Sequence, residues 1–422
     1  MLRPRPARPR RGLLAVALAL LLAPALARAG EPTVILLSLD GVRHDYPDLG
    51  DFPALARMAR EGARAEGLVP VFPSLTFPNH VSLATGTYPD RHGIVANSFL
   101  DRRRGLFHYS GDASWIEAEP LWVAAERQGV RSAVYFWVGS ETDWRGVGAS
   151  LRVAPFDDRV PESEKVTRIL SWLDLPAAER PRLVLAWWHG ADSAGHRHGP
   201  ASAEVLRDLA GQDRALATLE AGLDARKLWA DTTLLVVSDH GMTQRREGVA
   251  LAPALEAAGI RARVVPAATL AHVFLKDPAR ARDAVAALSK LEGVHACTAD
   301  ELPAAWRYRT ATRTGDVVAW VDPPRTFGRP LSLRARVSAA LAGGERGAHG
   351  YDPALADMRG ILLALGRGAP AGTHLGVVRA IDVAATVARL LGIDPPRDSE
   401  GTPIAGLAPP AAPGHDRAAA LR

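Results

Sequence analysis

One cysteine, Cys297, is all that the 422-residue chain contains, so no intramolecular disulfide can brace it and stability must come from packing. No cysteine stands near residue 29 either, which leaves no lipid-anchor site there. Internal repeats are absent, so the chain reads as a domain rather than an array. The first 29 residues lack acids altogether and carry six arginines. Setting those arginines aside turns the net charge of +5 into −1, so the pI of 9.6 gives no reason to expect a stable nucleic-acid partner. The apolar run Leu13 to Ala23, closed by Pro24, falls short of the roughly 20 residues that span a bilayer. A basic start, a short apolar stretch and the triplet Ala27-Arg28-Ala29 instead read as a cleavable secretory signal over residues 1–29. That implies a periplasmic or secreted protein without a membrane anchor, and the missing disulfides favour a bacterial setting. What is present suits a large globular core: 47% hydrophobic and 23% charged residues.

Three apolar runs punctuate the chain. Thr33 to Leu39 stops at Asp40-Gly41, Leu183 to Trp188 runs into His189-Gly190-Ala191-Asp192, and Thr233 to Ser238 runs into Asp239-His240-Gly241. Continuous runs of this length predict strands buried on both faces. Helical spacing over Asp51–Glu61, Pro120–Gln128, Glu162–Leu173, Ala203–Leu228 and Ile381–Leu391 alternates with them. The alternation predicts an α/β fold, a mostly parallel central sheet with helices on both faces. Between about residues 250 and 348 the pattern is mixed, with short strands such as His272–Leu275 and Val317–Val321, which predicts a smaller inserted cap. Ile361–Leu365 returns to the main sheet. The expected catalytic domain is therefore 30–405, followed by a loose Ala/Pro-rich tail over 406–422.

In such sheets ligands sit beyond the carboxyl ends of the strands, where the Asp40, Asp192 and Asp239 segments converge. Asp192-x-x-x-His196 spaces a carboxylate and an imidazole so that a turn or helix could bring both to one ion. Asp239-His240 supplies a second pair, and His349 lies in the glycine-rich stretch Gly343 to Gly350. Three Asp and three His suffice for two divalent ions with open positions. Mixed imidazole and carboxylate donors favour zinc, with manganese or iron as rivals. Each fragment alone has a plainer explanation as a turn, cap or surface pair. Thr76 is one example. Within Pro73-Ser74-Leu75-Thr76-Phe77-Pro78-Asn79-His80 it precedes an apolar helical run and could simply cap it, although a hydroxyl at a helix start is also a natural place to meet a phosphate.

Taken in order, these segments resemble the nucleotide pyrophosphatase/phosphodiesterase family of the alkaline phosphatase superfamily. The resemblance runs from Leu39-Asp40-Gly41 through the Thr76 octapeptide and Thr85-Gly86-x-Tyr88-Pro89-x-x-His92-Gly93-Ile94-x-x-Asn97. It continues through Phe136-Trp137-Val138-Gly139-Ser140-Glu141, Asp192-Ser193-Ala194-Gly195-His196-Arg197-His198-Gly199-Pro200, Ser238-Asp239-His240-Gly241-Met242 and His349-Gly350-Tyr351-Asp352. It implies an alkaline-phosphatase-like fold and two zinc ions per chain. One would be held by Asp192, His196 and His349, the other by Asp40, Asp239, His240 and the Thr76 oxygen. Thr76 would be the nucleophile and form a phosphothreonine-type intermediate. Asn97 would donate to a non-bridging phosphate oxygen, a neutral donor suited to a diester. Phe77 would form one side of a base-stacking pocket, with Phe156 opposite and Trp144 as its competitor. The implied activity is hydrolysis of nucleotide-type phosphodiester or pyrophosphate bonds, releasing nucleoside monophosphate from a small-molecule substrate.

The family's acidic residue and proline before the Asp192 equivalent are replaced here by His189-Gly190-Ala191, which implies a changed pocket wall. The cysteine-rich and nuclease-like domains of animal relatives are not matched. A phosphodiesterase for choline or glycerol head groups is the alternative within the superfamily, and a non-catalytic phosphate- or metal-binding module the alternative outside it. No Arg or Lys stands in the nucleophile block, which disfavours a monoesterase, and no Gly-Asn-His-Asp/Glu element supports a calcineurin-type phosphatase.

Overall fold

Seven consecutive apolar or small residues, Thr33–Leu39, form strand β1, and all seven are buried. The computed structural model describes residues 30–246, 248–328 and 346–408. Around β1 the chain builds β2 (Ala63–Arg64), β3 (Ser132–Tyr135), β4 (Leu151–Val153), β5 (Leu183–Trp188), β6 (Thr232–Val237), β7 (Leu362–Gly366) and β8 (Thr373–His374). They form one eight-stranded sheet in the order β8-β2-β7-β6-β1-β5-β3-β4. β1 pairs in parallel with β5 on one side and β6 on the other, in continuous register over most of each strand. Only β7 runs antiparallel to its neighbours, β6 and β2. The sheet is therefore mostly parallel, as the uninterrupted apolar runs require.

Around the sheet stand helices α1 (Pro53–Glu61), α2 (Thr76–Thr85), α3 (Leu121–Arg127), α4 (Glu162–Leu173), α5 (Gly190–His198), α6 (Ala203–Ala225) and α7 (Asp382–Leu391). α2, α3 and α7 pack against one another, while α1, α4 and α5 gather around the long α6. Burial of β1, β5 and β6 along their whole length shows that both faces of the sheet are covered. The fold is alkaline-phosphatase-like.

A second sheet stands apart in sequence. Its four strands, Ala262–Ala267, Leu270–Leu275, Val317–Val321 and Val294–Thr298, pair antiparallel. Its apolar cluster, which includes Val273, Leu288 and Val317, is distinct from the main core. This is the stretch where the sequence pattern turns mixed; residues 329–345 of that stretch lie outside the described residues, as does the expected signal over 1–29. The sequence pattern places the loose tail from 406 onward. Leu407 is buried against the main core and the Ala408 N–H donates to the Gly368 carbonyl, so the packed chain continues to 408. The tail beyond 408 lies outside the described residues. Among the described residues no helix is long and apolar enough to cross a membrane.

Candidate active site

The three central strands β5, β1 and β6 are neighbours and parallel, so their carboxyl ends lie side by side. Asp40 follows β1, Asp239 and His240 follow β6, and β5 leads through His189 into α5. Asp192 lies in the first turn of α5 and His196 in its last, one turn apart on the same face. The segment expected as a loop or helix is thus a helix. Gly41 has φ +68°, and a Cβ there would lie 2.9 Å from the Asp192 backbone. Glycine is what lets the end of β1 seat against α5. Gly347 plays the same part behind His349, because a Cβ would meet the Gly195 carbonyl of α5 at 2.3 Å.

Thr76 is the first residue of α2, and the cap position belongs to Leu75, whose side chain makes no capping bond. The Thr76 hydroxyl is therefore free of the capping role that its sequence position suggests. It lies 3.2 Å from His240 Nε2 instead. Asn79 holds the preceding loop: its amide donates to the Pro73 and Leu75 carbonyls and its oxygen accepts from the Val71 N–H.

Two groups of donor atoms result. In the deeper one, His240 Nε2 lies 3.4 Å from Asp40 Oδ1, 3.2 Å from Asp239 Oδ2 and 3.2 Å from Thr76 Oγ1. In the outer one, His196 Nε2 lies 3.4 Å from Asp192 Oδ1 and 3.2 Å from His349 Nε2, which is 3.5 Å from Asp192 Oδ1. A tetrahedral ion with N and O ligands at about 2.0–2.1 Å sets those ligands about 3.3–3.4 Å apart. Both sets of spacings fit such an ion. His240 and His349 stack at 3.6 Å between ring centres, and His240 also comes within 4.8 Å of the Asp192 and His349 donor atoms, so the groups adjoin.

The hydrogen bonding aims these atoms. His240, His349 and His196 each place Nδ1 on a backbone carbonyl, of Gly241, Ser74 and Gly347. A carbonyl can only accept, so Nδ1 carries the proton and the Nε2 lone pair faces the site. Asp40 Oδ2 accepts from the Trp187 indole and Asp239 Oδ1 from the Gly41 N–H. The other oxygens, Asp40 Oδ1 and Asp239 Oδ2, and Asp192 Oδ1 with them, are buried without a hydrogen-bond partner among the described residues. Such atoms are costly unless a cation meets them. Burial, with Asp239 and Asp192 nearby, pushes the Asp40 carboxyl well above its ordinary range. Burial and the facing His240 and His196 rings pull His349 well below its own, which keeps it in the neutral, ligating form. Orphaned oxygens, crowded carboxylates and imidazoles with Nε2 toward the site together make a donor set that fits divalent ions.

Asn97 accepts the Phe77 N–H on its Oδ1 at 2.8 Å. That bond fixes the amide flip and leaves Nδ2 as a donor. Phe77 itself is 6% exposed. Its visible neighbour is Tyr109, which packs edge-on to it at 5.3 Å and donates its backbone N–H to the Asn97 carbonyl. Tyr109 is 56% exposed and sits at φ 43°, unusual for a non-glycine residue. Nothing in the motif pattern marks it. Phe156 is 36% exposed and stacks on Trp187 at 4.5 Å, the same Trp187 that holds Asp40. Trp144, its competitor, is buried with its indole on the Ile116 carbonyl and belongs to the core. His92, His108 and His295 are satisfied by Ser82, Ser98 and Asp322.

The parallel sheet thus brings carboxylates, imidazoles and a helix-start threonine together at its carboxyl edge, a donor set for metal ions beside a hydroxyl. The model for type I phosphodiesterase / nucleotide pyrophosphatase matches residues 34–352, and the chain belongs to that family. A pyrophosphatase/phosphodiesterase of Schizosaccharomyces pombe is 33% identical over 80% of this chain and 71% of its own length. Human ectonucleotide pyrophosphatase/phosphodiesterase family member 1 is 35% identical over 50% of this chain, a match that spans only 24% of the human protein. Murine ectonucleotide pyrophosphatase/phosphodiesterase 5 superposes with a TM-score of 0.77 and 26% identity, covering 86% of this chain and 96% of the murine one. An inactive threonine-to-alanine variant of that murine protein, in complex with AMP, superposes with a TM-score of 0.78.

Proposed function

We propose that the chain is a two-metal phosphodiesterase/pyrophosphatase that cleaves nucleotide-type phosphodiester or pyrophosphate bonds and releases nucleoside monophosphate. The observation that carries this reading is the Thr76 hydroxyl, which forgoes the helix cap and lies 3.2 Å from His240 Nε2 in the deeper donor group. Asp40, Asp239, His240 and Thr76 would hold one ion and Asp192, His196 and His349 the other, zinc being favoured by the donors and manganese or iron possible substitutes. When bound, the pair supplies positive charge for the nucleophile and the leaving-group oxygen.

The remaining work belongs to the chain. Thr76 Oγ1 attacks phosphorus and the bond from phosphorus to the leaving oxygen breaks. The hydroxyl loses its proton, and a phosphothreonine-type diester is left on α2. Water then attacks the same phosphorus, the phosphorus–Oγ1 bond breaks, and Thr76 recovers a proton. Asn97 Nδ2, left free by the Phe77 bond, donates to a non-bridging oxygen. Phe77 and Phe156, with Tyr109 beside the first, offer apolar faces to the leaving or retained moiety. The AMP complex of the murine relative supports the choice of a nucleotide.

Three p-nitrophenyl esters test this: a nucleotide diester, the phosphate monoester and phosphocholine. The reading expects the highest kcat/KM for the nucleotide diester. Preference for phosphocholine would replace it with a head-group phosphodiesterase, and preference for the monoester would remove the diesterase assignment.

A further inference from the structure

A cavity of about 650 Å³ that the reaction above does not use is lined by His189 and Gly190, which lead into the Asp192 helix. Its walls are the loop that follows Phe156, the start of α4, the start of α5 and one face of α6. The size suits a nucleoside-sized group. One lining residue, His189, meets the ring of the candidate stacking residue Phe156 edge-on at 5.6 Å. His189 in turn stands three residues before Asp192.

Among the described residues, three buried polar atoms of cavity-lining side chains have no hydrogen-bond partner: His189 Nδ1 and both amide atoms of Gln212. Gln212 is only 2% exposed, and its Nε2 lies 3.3 Å from where a Cβ on Gly190 would be. A buried carboxamide with neither of its functions satisfied is expensive in a folded protein. Burial and the nearby Lys165 ammonium lower the His189 pKa, so its ring is neutral near pH 7. The rim carries Arg159, Arg207 and Arg214 against Asp158, Glu162 and Asp208, three charges of each sign. An anion or a cation would find no net attraction there. A neutral group with hydrogen-bonding edges would find both a donor and an acceptor in Gln212.

We propose that this cavity is a hydrogen-bonding subsite for the nucleobase edge of the substrate, with Gln212 as the residue that reads it. An amide presents a donor beside an acceptor and so matches a base edge that offers an acceptor beside a donor. This rests on the nucleotide reading above and adds where base preference originates.

The test compares kcat/KM for the p-nitrophenyl ester of thymidine monophosphate with that for bis(p-nitrophenyl) phosphate, which has no base. Gln212→Leu removes both hydrogen-bonding functions. Gly211→Met fills the cavity from α6, where a Cβ meets only the Arg214 guanidinium at 3.7 Å and glycine is the weaker helix former. The ratio of the two kcat/KM values is expected to fall about ten- to a hundredfold in each variant. A general loss of structure would lower both rates and leave the ratio unmoved, and Gly211→Met decides the matter if Gln212→Leu does not fold. A ratio unchanged in the folded variants overturns the subsite alone. A wild-type enzyme with no preference for the nucleotide ester overturns the nucleotide reading and the subsite with it.

Discussion

The two donor groups differ in how they are built. The deeper one hangs on the ends of β1 and β6 and the start of α2, and the side chains of Asp40, Asp239 and His240 are at most 3% exposed. The outer one is carried by a nine-residue helix and a loop, and its Asp192 and His196 side chains are 18% and 32% exposed. An ion in the first would be shut away from water and held by strand ends that cannot shift without disturbing the sheet. An ion in the second would be reached by solvent and held by elements that can adjust. The two positions should therefore not respond alike to losing a ligand.

The largest effect is therefore expected in the deeper group. Asp239→Ala should abolish tight binding of one zinc ion and lower kcat/KM for the nucleotide diester about a thousandfold or more. His196→Ala should weaken the other ion by roughly a hundredfold while added zinc restores much of the activity. Metal content by mass spectrometry and zinc titration of activity check both. Equal losses, or rescue of Asp239→Ala by added zinc, would erase the contrast.

Glu220 sharpens it from a distance, as a buried carboxylate that faces no donor group. Burial, opposed by Arg57, raises its pKa to about 7. A carboxyl whose folded pKa exceeds its unfolded value of about 4.5 stabilises the fold below pH 4.5, and that contribution is lost as pH rises through 7. Arg57 keeps Asp224 and Glu61 as partners without it. Glu220→Gln should thus stabilise the protein by about 2–3 kcal/mol at pH 8 and leave it little changed at pH 5, read from urea unfolding. Parallel pH curves for the two proteins would show that this carboxylate carries no burial penalty.

The deeper group was the more legible in sequence, for a physical reason. Strands buried on both faces must be continuously apolar, so β1 and β5 have the very bounds that their runs suggest, and the residue after such a run sits at the sheet edge. His196 and His349 depend on a helix and a distant loop, and only the family motifs brought them together. Trp187 reads as one more core residue of β5 until the fold turns its indole onto Asp40. Tyr109 lies just after the short strand Gly105–His108 and carries no motif, and the isolation of the Gln212 amide is a consequence of packing between α5 and α6 that no local pattern records. Thr76 was legible as a helix-start residue, but its hydroxyl's turn away from the cap toward His240 is a tertiary fact.

The central claim rests on that hydroxyl. The most direct measurement is kcat/KM of Thr76→Ala for a p-nitrophenyl nucleotide diester at saturating zinc, beside the wild type. A loss of about a thousandfold or more is predicted, as expected when a covalent nucleophile is removed. Turnover within about tenfold of wild type would contradict the assignment of Thr76 as the nucleophile.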